Sequence, residues 1–309
     1  MIILKAIDEL AGLKGPIVLA AGTFDGVHLG HQALIRRAMK EAASSAGTAV
    51  VMTFDRHPAA LLRPEKAPKL LSRNDAKIAL LDGMGVQALL MLPFTSELSS
   101  VTARDFIASL VSSAAPLRAV CVGREWFFGK GGEGNVALLK ELGAAHNFSV
   151  IQIDPVMAEG ASISSTRIRT AVASGNLNEA ATCLGRPFLL LGIVVSGAGL
   201  GAKIGFPTAN LEVSGMQLPP NGVYAVKVLC GHDLLKGVCN IGVRPTVDAS
   251  ATTPVVEVHL FDVTNDLVGR KLSLEFVCFL RGEQKFSSIE VLRAQIASDC
   301  DSARELLSS

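Results

Sequence analysis

With 309 residues, 49% of them hydrophobic and 18% charged, the chain has apolar surface for more than one packed core, so two folded domains are expected rather than a disordered chain. A formal net charge of +1 lacks the basic excess of a dedicated nucleic-acid binder, although local sites can still meet anions. Six cysteines (Cys121, Cys183, Cys230, Cys239, Cys278 and Cys300) show no C-x-x-C spacing, and several sit in apolar runs, which points to buried free thiols rather than disulfides or zinc ligands.

The N-terminal MIILKAIDELAGLKG has an apolar run too short for a signal segment, with Asp8 and Glu9 close behind, and a cytoplasmic protein is expected. PIVLAAG, residues 16–22, reads as the first strand, and the glycine-rich GTFDGVHLGHQAL follows it. A helix should begin just after Gly30, because Ala33, Leu34, Ala38, Met39 and Ala42 share one face until Gly47 stops it. TAVVMTF, VQALLMLPF and LRAVCVG are the next strands, with helical patterns around residues 74–81 and 103–110 between them. This alternation implies a parallel sheet covered by helices, with ligands gathered at the carboxyl ends of its strands.

His28 and His31, three residues apart beside that helix start, have three readings. They can be donors to a phosphate, since a helix N-terminus offers unpaired N–H groups and Gly22, Gly26 and Gly30 allow close backbone approach. They can be hydrogen-bonded histidines capping a turn. A metal pair is the third reading, and no third ligand of matching spacing stands nearby. ISSTRIR, residues 163–169, precedes a short helix, residues 168–173, that Gly175 ends. Ser164, Ser165 and Thr166 there offer hydroxyls at a second helix start and Arg167 and Arg169 offer guanidinium groups; the plain alternative is a cap with two solvated arginines.

From Phe188 the pattern changes to β-rich runs, FLLLGIVVSG, GVYAVKVLC, LLKGVCNIG, PVVEVHLFD and KLSLEFVCFL, separated by turn residues. A compact, barrel-like antiparallel β domain is expected, with the boundary near Leu184-Gly185-Arg186-Pro187. PFLLLGIVVSGAGLGA is too short to span a membrane and holds four glycines. A final helix is expected from a capping box of Ser287 and Glu290, with Ile289, Leu292, Ile296 and Cys300 on one face. In GAGLGAKIGFPTANL an extended chain puts Thr208 and Asn210 on one side, as neutral oxygen ligands for Mg²⁺ or as an ordinary polar turn. Glu257 and His259 share one face of their strand, either wet or, for Glu257, as the base an alcohol nucleophile requires.

His28-Leu29-Gly30-His31 resembles the H-x-G-H motif of nucleotidylyl transferases. Together GTFDGVHLGHQALI, TFDRHP, GREWFFG, ISSTRIR, LGRPF, GFPTANL, NGVYAV, NIGVRPT, VEVHLFD and LRGEQKF closely resemble, in order, the bacterial bifunctional riboflavin kinase/FMN adenylyltransferases. The resemblance implies an α/β Rossmann-like nucleotidyltransferase domain over residues 1–184, which makes FAD from FMN and ATP. It implies a mainly antiparallel β-barrel riboflavin kinase domain with a C-terminal helix over residues 185–309, which makes FMN from riboflavin and ATP with Mg²⁺. On the same ground His28 and His31 serve adenylyl transfer, and Gly22, Thr23, Phe24, Asp25, Gly26, Gly30, Ser164, Ser165, Thr166 and Arg169 bind its ATP, with Glu125 and Phe128 on the flavin side. In the kinase, Gly197, Lys203 and Gly205 meet ATP, Thr208 and Asn210 hold Mg²⁺, Glu257 is the base, and Arg281, Glu283 and Phe286 meet the flavin. Four features depart from the family: Thr23 for Asn, Glu125 for a shorter Asp or Asn, an arginine absent from GKGGEGN, where Lys130 is the nearest cation, and Ala202 for Arg. Glu125 keeps open an active kinase whose first domain uses another acceptor or is degenerate. Trp126, the only tryptophan, either stacks on an isoalloxazine ring or packs in the core. Partners are expected to be small molecules, neither nucleic acid nor membrane, and homo-oligomerisation stays open.

Overall fold

The computed structural model describes residues 1–309 except 115, 198, 246–251, 264–266 and 309. Ala198 of the GAGLGAKIG loop and Thr246 of NIGVRPT therefore lie outside the described residues. The chain divides into two compact units, Met1–Pro68 with Asn74–Ser165, and Lys69–Arg73 with Thr166–Ser309.

The first unit carries β1 (Ile2–Leu4), β2 (Ile17–Ala21), α1 (Leu29–Ser44), β3 (Thr48–Phe54), α2 (Ala59–Leu62), α3 (Asn74–Gly83), β4 (Ala88–Leu92), α4 (Ser96–Ser100), α5 (Ala103–Ser113), β5 (Leu117–Gly123), α6 (Val136–His146) and β6 (Ser149–Ile153). A small hairpin of β7 (Met157–Ala158) and β8 (Ala161–Ser162) follows. The main sheet is parallel throughout, in the order β1-β4-β3-β2-β5-β6. β2 is buried along its whole length: Ile17, Leu19 and Ala21 join the apolar cluster on one face, Val18 and Ala20 the cluster on the other. A parallel strand covered by helices on both sides requires that two-sided burial. β1 and β6 are additions to the expected strands, both short, so GTFDGVHLGH follows the second strand of the chain. From β2 the chain winds outward through β3 and β4 before β5 returns to the other side of β2, which opens the crevice of the sheet beside Gly22 and Gly123.

α7 (Ser165–Ala173) begins at the junction, and the second unit continues with α8 (Leu177–Leu184), β9 (Leu189–Val195), α9 (Leu200–Lys203), β10 (Ala209–Glu212), β11 (Gly222–Cys230), β12 (Asp233–Pro245), β13 (Thr252–Leu260), β14 (Lys271–Arg281) and α10 (Ile289–Leu307). Six antiparallel strands close into a barrel in the order β10-β13-β12-β11-β14-β9. Closure removes the unpaired edges that an open sheet would leave. Alternation decides the rest. Tyr224, Cys239 and Val258 lie in register inside the wall, while Val223, Ala225 and Val238 face outward and pack against Cys300, Ala303 and Leu307 of α10. No helix among the described residues is long and apolar enough to cross a membrane.

α10 differs from its expected start. Ser288, not Ser287, is the cap: its hydroxyl accepts from the Val291 N–H at 3.4 Å. Ile289 is 63% exposed, and the buried stripe runs through Ile296, Cys300, Ala303 and Leu307, because burial follows the barrel wall and Ile289 precedes the part of the helix that lies on it. The short segment Lys69–Arg73, which no sequence feature sets apart, also belongs to this unit. Leu70 N–H donates to the Gly215 carbonyl and its own carbonyl accepts from Gln217 N–H, each at 2.8 Å, and Arg73 pairs with Glu212 at 3.2 Å.

One buried ion pair fastens α10 to the barrel. Arg281 Nη2 lies 2.7 Å from Asp299 Oδ2 and its Nε reaches both carboxylate oxygens at 3.0 and 3.1 Å, with Gln295 Nε2 donating to Oδ1 at 2.9 Å. Asp299 is 5% exposed, so removing its charge strands a guanidinium out of water. Asp299→Asn is expected to lower the stability of the barrel unit by about 3 kcal/mol, read in urea unfolding followed through Tyr224, the only tyrosine.

Candidate active sites

At the carboxyl end of β2 the chain reverses through an unusual turn. Phe24 and Val27 hold φ of 50° and 42°, Gly26 has φ of 79°, and both non-glycine side chains are buried. Left-handed backbone costs a non-glycine residue about 1–3 kcal/mol, most for a β-branched one. Burying a Phe or Val side chain returns about 1.5–3 kcal/mol, so the turn is held by what its apolar side chains fill. His28 then caps α1, its Nδ1 accepting from His31 N–H at 3.3 Å. The two imidazoles stack with centroids 3.6 Å apart, and Phe24 meets His31 edge-on at 5.1 Å. Gly30 leaves little room for a side chain here: a Cβ would stand 3.1 Å from His28 Cε1 and 3.2 Å from its Nδ1, so the His28 ring would have to give by a few tenths of an ångström.

The pair lines a cavity of about 360 Å³ together with Gly22, Phe24, Gly30, Arg124, Glu125, Trp126, Asp154, Ser164 and Ser165. Ser165 Oγ also donates to the Asp25 carbonyl at 3.0 Å, tying the ISSTRIR segment to the turn. Thr23, Asp25 and Gly26 are not among the lining residues; Thr23 instead turns its carbonyl inward to Thr53 Oγ1 and Lys77 Nζ, each at 3.0 Å. Thr166 and Arg169 fall in the second unit, where Arg169 Nε donates to the Lys69 carbonyl at 2.6 Å and Arg167 pairs with Glu179 at 2.8 Å. A second, mostly apolar cavity of about 200 Å³ shares Ala21, Gly22 and Trp126 with the first and is walled by Phe54, Phe94, Phe106, Phe127 and Phe128. Trp126 stacks on Phe128 at 4.5 Å and packs against the core, as its second reading expected, while lining both cavities. Phe128 lines the apolar cavity and Glu125 the polar one. Sequence patterns gave no sign of Lys77 or of the ring of phenylalanines, since neither forms a motif along the chain.

In the barrel, strand register assembles the second site. Asn210 on β10 pairs with Glu257 on β13, Glu257 with Asn240 on β12, Asn240 with Val223 on β11, and Val223 with Arg281 on β14. Residues directly opposite share a face, so five strands present one row on the outside of the wall. Thr208, Asn240, Glu257, His259, Arg281, Glu283 and Phe286 line a cavity of about 370 Å³, with Leu292 and Ile296 of α10 forming its apolar side. Arg281 lies over the Phe286 ring at 5.6 Å, and Glu283 accepts from Asn221 Nδ2 at 3.1 Å. His259 Nδ1 is 2.8 Å from the Pro207 carbonyl, linking the strand of Glu257 to the Pro-Thr-Ala-Asn segment. A neighbouring cavity of about 180 Å³ shares Thr208 and is lined by Val194, Gly197, Val258, Leu260 and Val268. Gly197 earns its place sterically, because a Cβ there would collide with the Asn210 amide. Lys203 is exposed at the end of α9, and Gly205 takes φ of 91° in the turn after it. Asn240 sat within NIGVRPT without a role; its register beside Glu257 is what singles it out. Among the described residues no group of three or more His, Cys, Asp or Glu side chains is arranged to hold a metal ion.

Electrostatics mark the first site. Burial, then the neighbouring His28 and the Lys77 charge, hold the His31 pKa well below its ordinary 6.5, and its Nδ1 is buried without a hydrogen-bond partner among the described residues. At pH 7 the imidazole is therefore neutral. The unfolded chain takes up this proton first as pH falls below 6.5, so the stability His31 contributes is present above that pH and is lost as pH falls toward its folded pKa. In an NMR titration of the six histidines, the ring resonance that disappears in His31→Gln is expected to stay in its neutral position at pH 6, where an exposed histidine is mostly charged.

Comparison with known proteins places the chain. Residues 12–167 match the family model described as FAD synthetase and residues 184–307 that described as riboflavin kinase. A bifunctional riboflavin kinase/FMN adenylyltransferase of Escherichia coli K12 is 40% identical over 289 residues, 93% of this chain and 92% of that protein. The protein of the same name from Bacillus subtilis 168 is 35% identical over 91% of this chain and 90% of its own length. A crystal structure from Streptococcus pneumoniae described as a macrolide-efflux protein superposes with a TM-score of 0.82 at 31% identity, covering 98% of this chain and 99% of that one. With both domain models in the expected order and the identity running nearly end to end, the chain belongs to the bifunctional riboflavin kinase/FMN adenylyltransferase family.

Proposed function

We propose that this protein phosphorylates riboflavin to FMN with one ATP and joins AMP from a second ATP to FMN, releasing pyrophosphate and giving FAD. The observation that carries the reading is repeated in each unit: two cavities meet at a residue of the phosphate-side motif, Gly22 in the first and Thr208 in the second. Each pair can hold two substrates with their reacting ends together, which is most of what a phosphoryl or adenylyl transfer needs. The alternative of another acceptor for the first domain is not favoured, since the FAD synthetase model spans it.

In the first site the polar cavity takes ATP and the aromatic cavity takes the isoalloxazine ring, so that FMN phosphate and ATP α-phosphate meet beside Gly22. A phosphate oxygen of FMN attacks the α-phosphorus, the bond to the β-phosphate oxygen breaks, and pyrophosphate leaves. The nucleophile is already ionised and needs no base. His28, His31 and the start of α1 supply donors and positive potential for the charge that builds on the phosphate oxygens. Ser164 and Ser165 are assigned to that ATP.

In the second site the cavity beneath α10 takes riboflavin and the one beside Gly197 and Val268 takes the adenosine of ATP. The flavin's terminal hydroxyl attacks the γ-phosphorus, its proton passes to Glu257, and ADP leaves. Thr208 Oγ1 and the Asn210 amide oxygen are hard, neutral donors that fit Mg²⁺ arriving with a triphosphate and retaining water. When bound, the ion supplies positive charge to the transferring phosphates. Arg281 is assigned to the flavin side, held in place by Asp299, and residues 185–309 to the kinase module, in accord with a riboflavin kinase match that starts at residue 184. A cytoplasmic setting is supported by six free cysteines, four of them buried.

Incubation with riboflavin, ATP and Mg²⁺, read by chromatography of the flavins, is expected to yield FMN and then FAD. His28→Ala should stop at FMN, whereas Glu257→Gln should block FMN formation and still convert supplied FMN to FAD. Loss of both products in either variant contradicts two separate sites. Gly30→Ala, which presses on the His28 ring, should lower FAD formation roughly 10²-fold with the kinase unchanged.

A further inference from the structure

We propose that Lys77 is a positioning residue for adenylyl transfer, its buried ammonium fixing the Thr23 carbonyl and thereby the backbone turn that receives the phosphates. The inference rests on the reading of the first site given above and adds to it a residue that lines neither of its cavities.

Lys77 sits in the first turns of α3 and is only 6% exposed. Its Nζ is 3.0 Å from the Thr23 carbonyl oxygen, and Thr53 Oγ1, itself 1% exposed, donates to the same oxygen at 3.0 Å. Two donors saturate the carbonyl's lone pairs and fix the plane of the Thr23–Phe24 peptide. In a trans peptide the N–H points opposite to the C=O, so drawing the Thr23 oxygen toward the core turns the Phe24 N–H the other way. That peptide leads directly into the positive-φ residues Phe24, Gly26 and Val27, and the Asp25 carbonyl is held in turn by Ser165. The start of α3 is anchored as well, since Asn74 Nδ2 donates to the Asp55 carbonyl, and Asp55 Oδ1 accepts from Phe94 N–H at 2.9 Å. The ends of β2, β3 and β4 are thus stitched together below the turn.

A buried ammonium is a costly way to fill space, and a methionine would pack at lower desolvation cost. The titratable groups around Lys77 are Asp25 in the turn and Asp55 after β3, which favour its charge against burial, and the neutral His31 on α1, stacked on His28, whose protonation that charge disfavours. Lys77 therefore acts twice on one turn, through the Thr23 carbonyl and through the neutral state of His31.

The test is Lys77→Met in the full chain, with both activities measured on one preparation. Expected are a fall of roughly 10²-fold in kcat/KM for ATP in FMN adenylylation, an unchanged riboflavin kinase, and an acid limb of the adenylylation pH profile displaced to higher pH as His31 loses a positive neighbour. A loss of packing alone would leave that limb where it is, and such a result overturns the proposal, as does unchanged kcat/KM. Thr53→Val removes the other donor to the carbonyl and should lower the same constant without moving the limb. If Lys77→Met does not fold, unaltered adenylylation in Thr53→Val overturns the proposal instead. Failure of the unsubstituted protein to form FAD is a separate outcome that removes the reading of the site itself.

Discussion

The chain reversal between β2 and α1 depends on one constraint: a backbone that its own residues disfavour must be held in place by burial. Phe24 and Val27 occupy left-handed conformations with almost no exposure, and the aromatic edge of Phe24 then supports His31. The apolar gain and the conformational cost are of the same size, a few kcal/mol, so the turn is stable only while the surrounding core is intact. That coupling makes a rigid cradle from short side chains and main-chain atoms. It also explains why glycine stands at Gly30, where a methyl group would press on His28.

The barrel solves the same problem by different means. Its residues are not gathered by a turn but by register, which sets Asn210, Glu257, Asn240 and Arg281 in one row across neighbouring strands. A closed barrel cannot slip a strand without breaking the ladder on both sides, so the row is fixed by the whole domain. The Arg281–Asp299 pair then ties the row to α10, whose apolar residues complete one wall of the cavity. Family membership gives a protein with two activities, riboflavin kinase and FMN adenylyltransferase, and each unit holds a pair of cavities.

Much of this was legible along the chain because it is local. Hydrophobic runs of strand length alternating with 3.6-residue periodicity gave the parallel sheet, and the change to β-branched runs after Phe188 gave the barrel. The H-x-G-H segment, the Pro-Thr-Ala-Asn segment and Glu257 each left a plain structural reading open, and it was their order along the chain, in register with a known family, that singled them out. β6 (SVIQI) and β1 (IIL) escaped although both are rich in β-branched residues, since runs of three to five residues are too short for periodicity to set them apart. The cap of α10 moved by one residue, from Ser287 to Ser288: only Ser287 has Glu290 three residues on, yet it is the Ser288 hydroxyl that accepts from a helix N–H, a choice made by the backbone.

By itself the sequence determined the fold class, the order of the two domains and the family, because periodicity and motif spacing are properties of adjacent residues. Tertiary structure alone decided what lies beneath and beside them. Lys77 reaches Thr23 from fifty-four residues away, Asp299 meets Arg281 from another element, and Asn240 stands beside Glu257 only through strand register. The physical reason is common to all three: a buried charge or a cross-strand neighbour takes its meaning from a partner that the chain brings close only when the core packs.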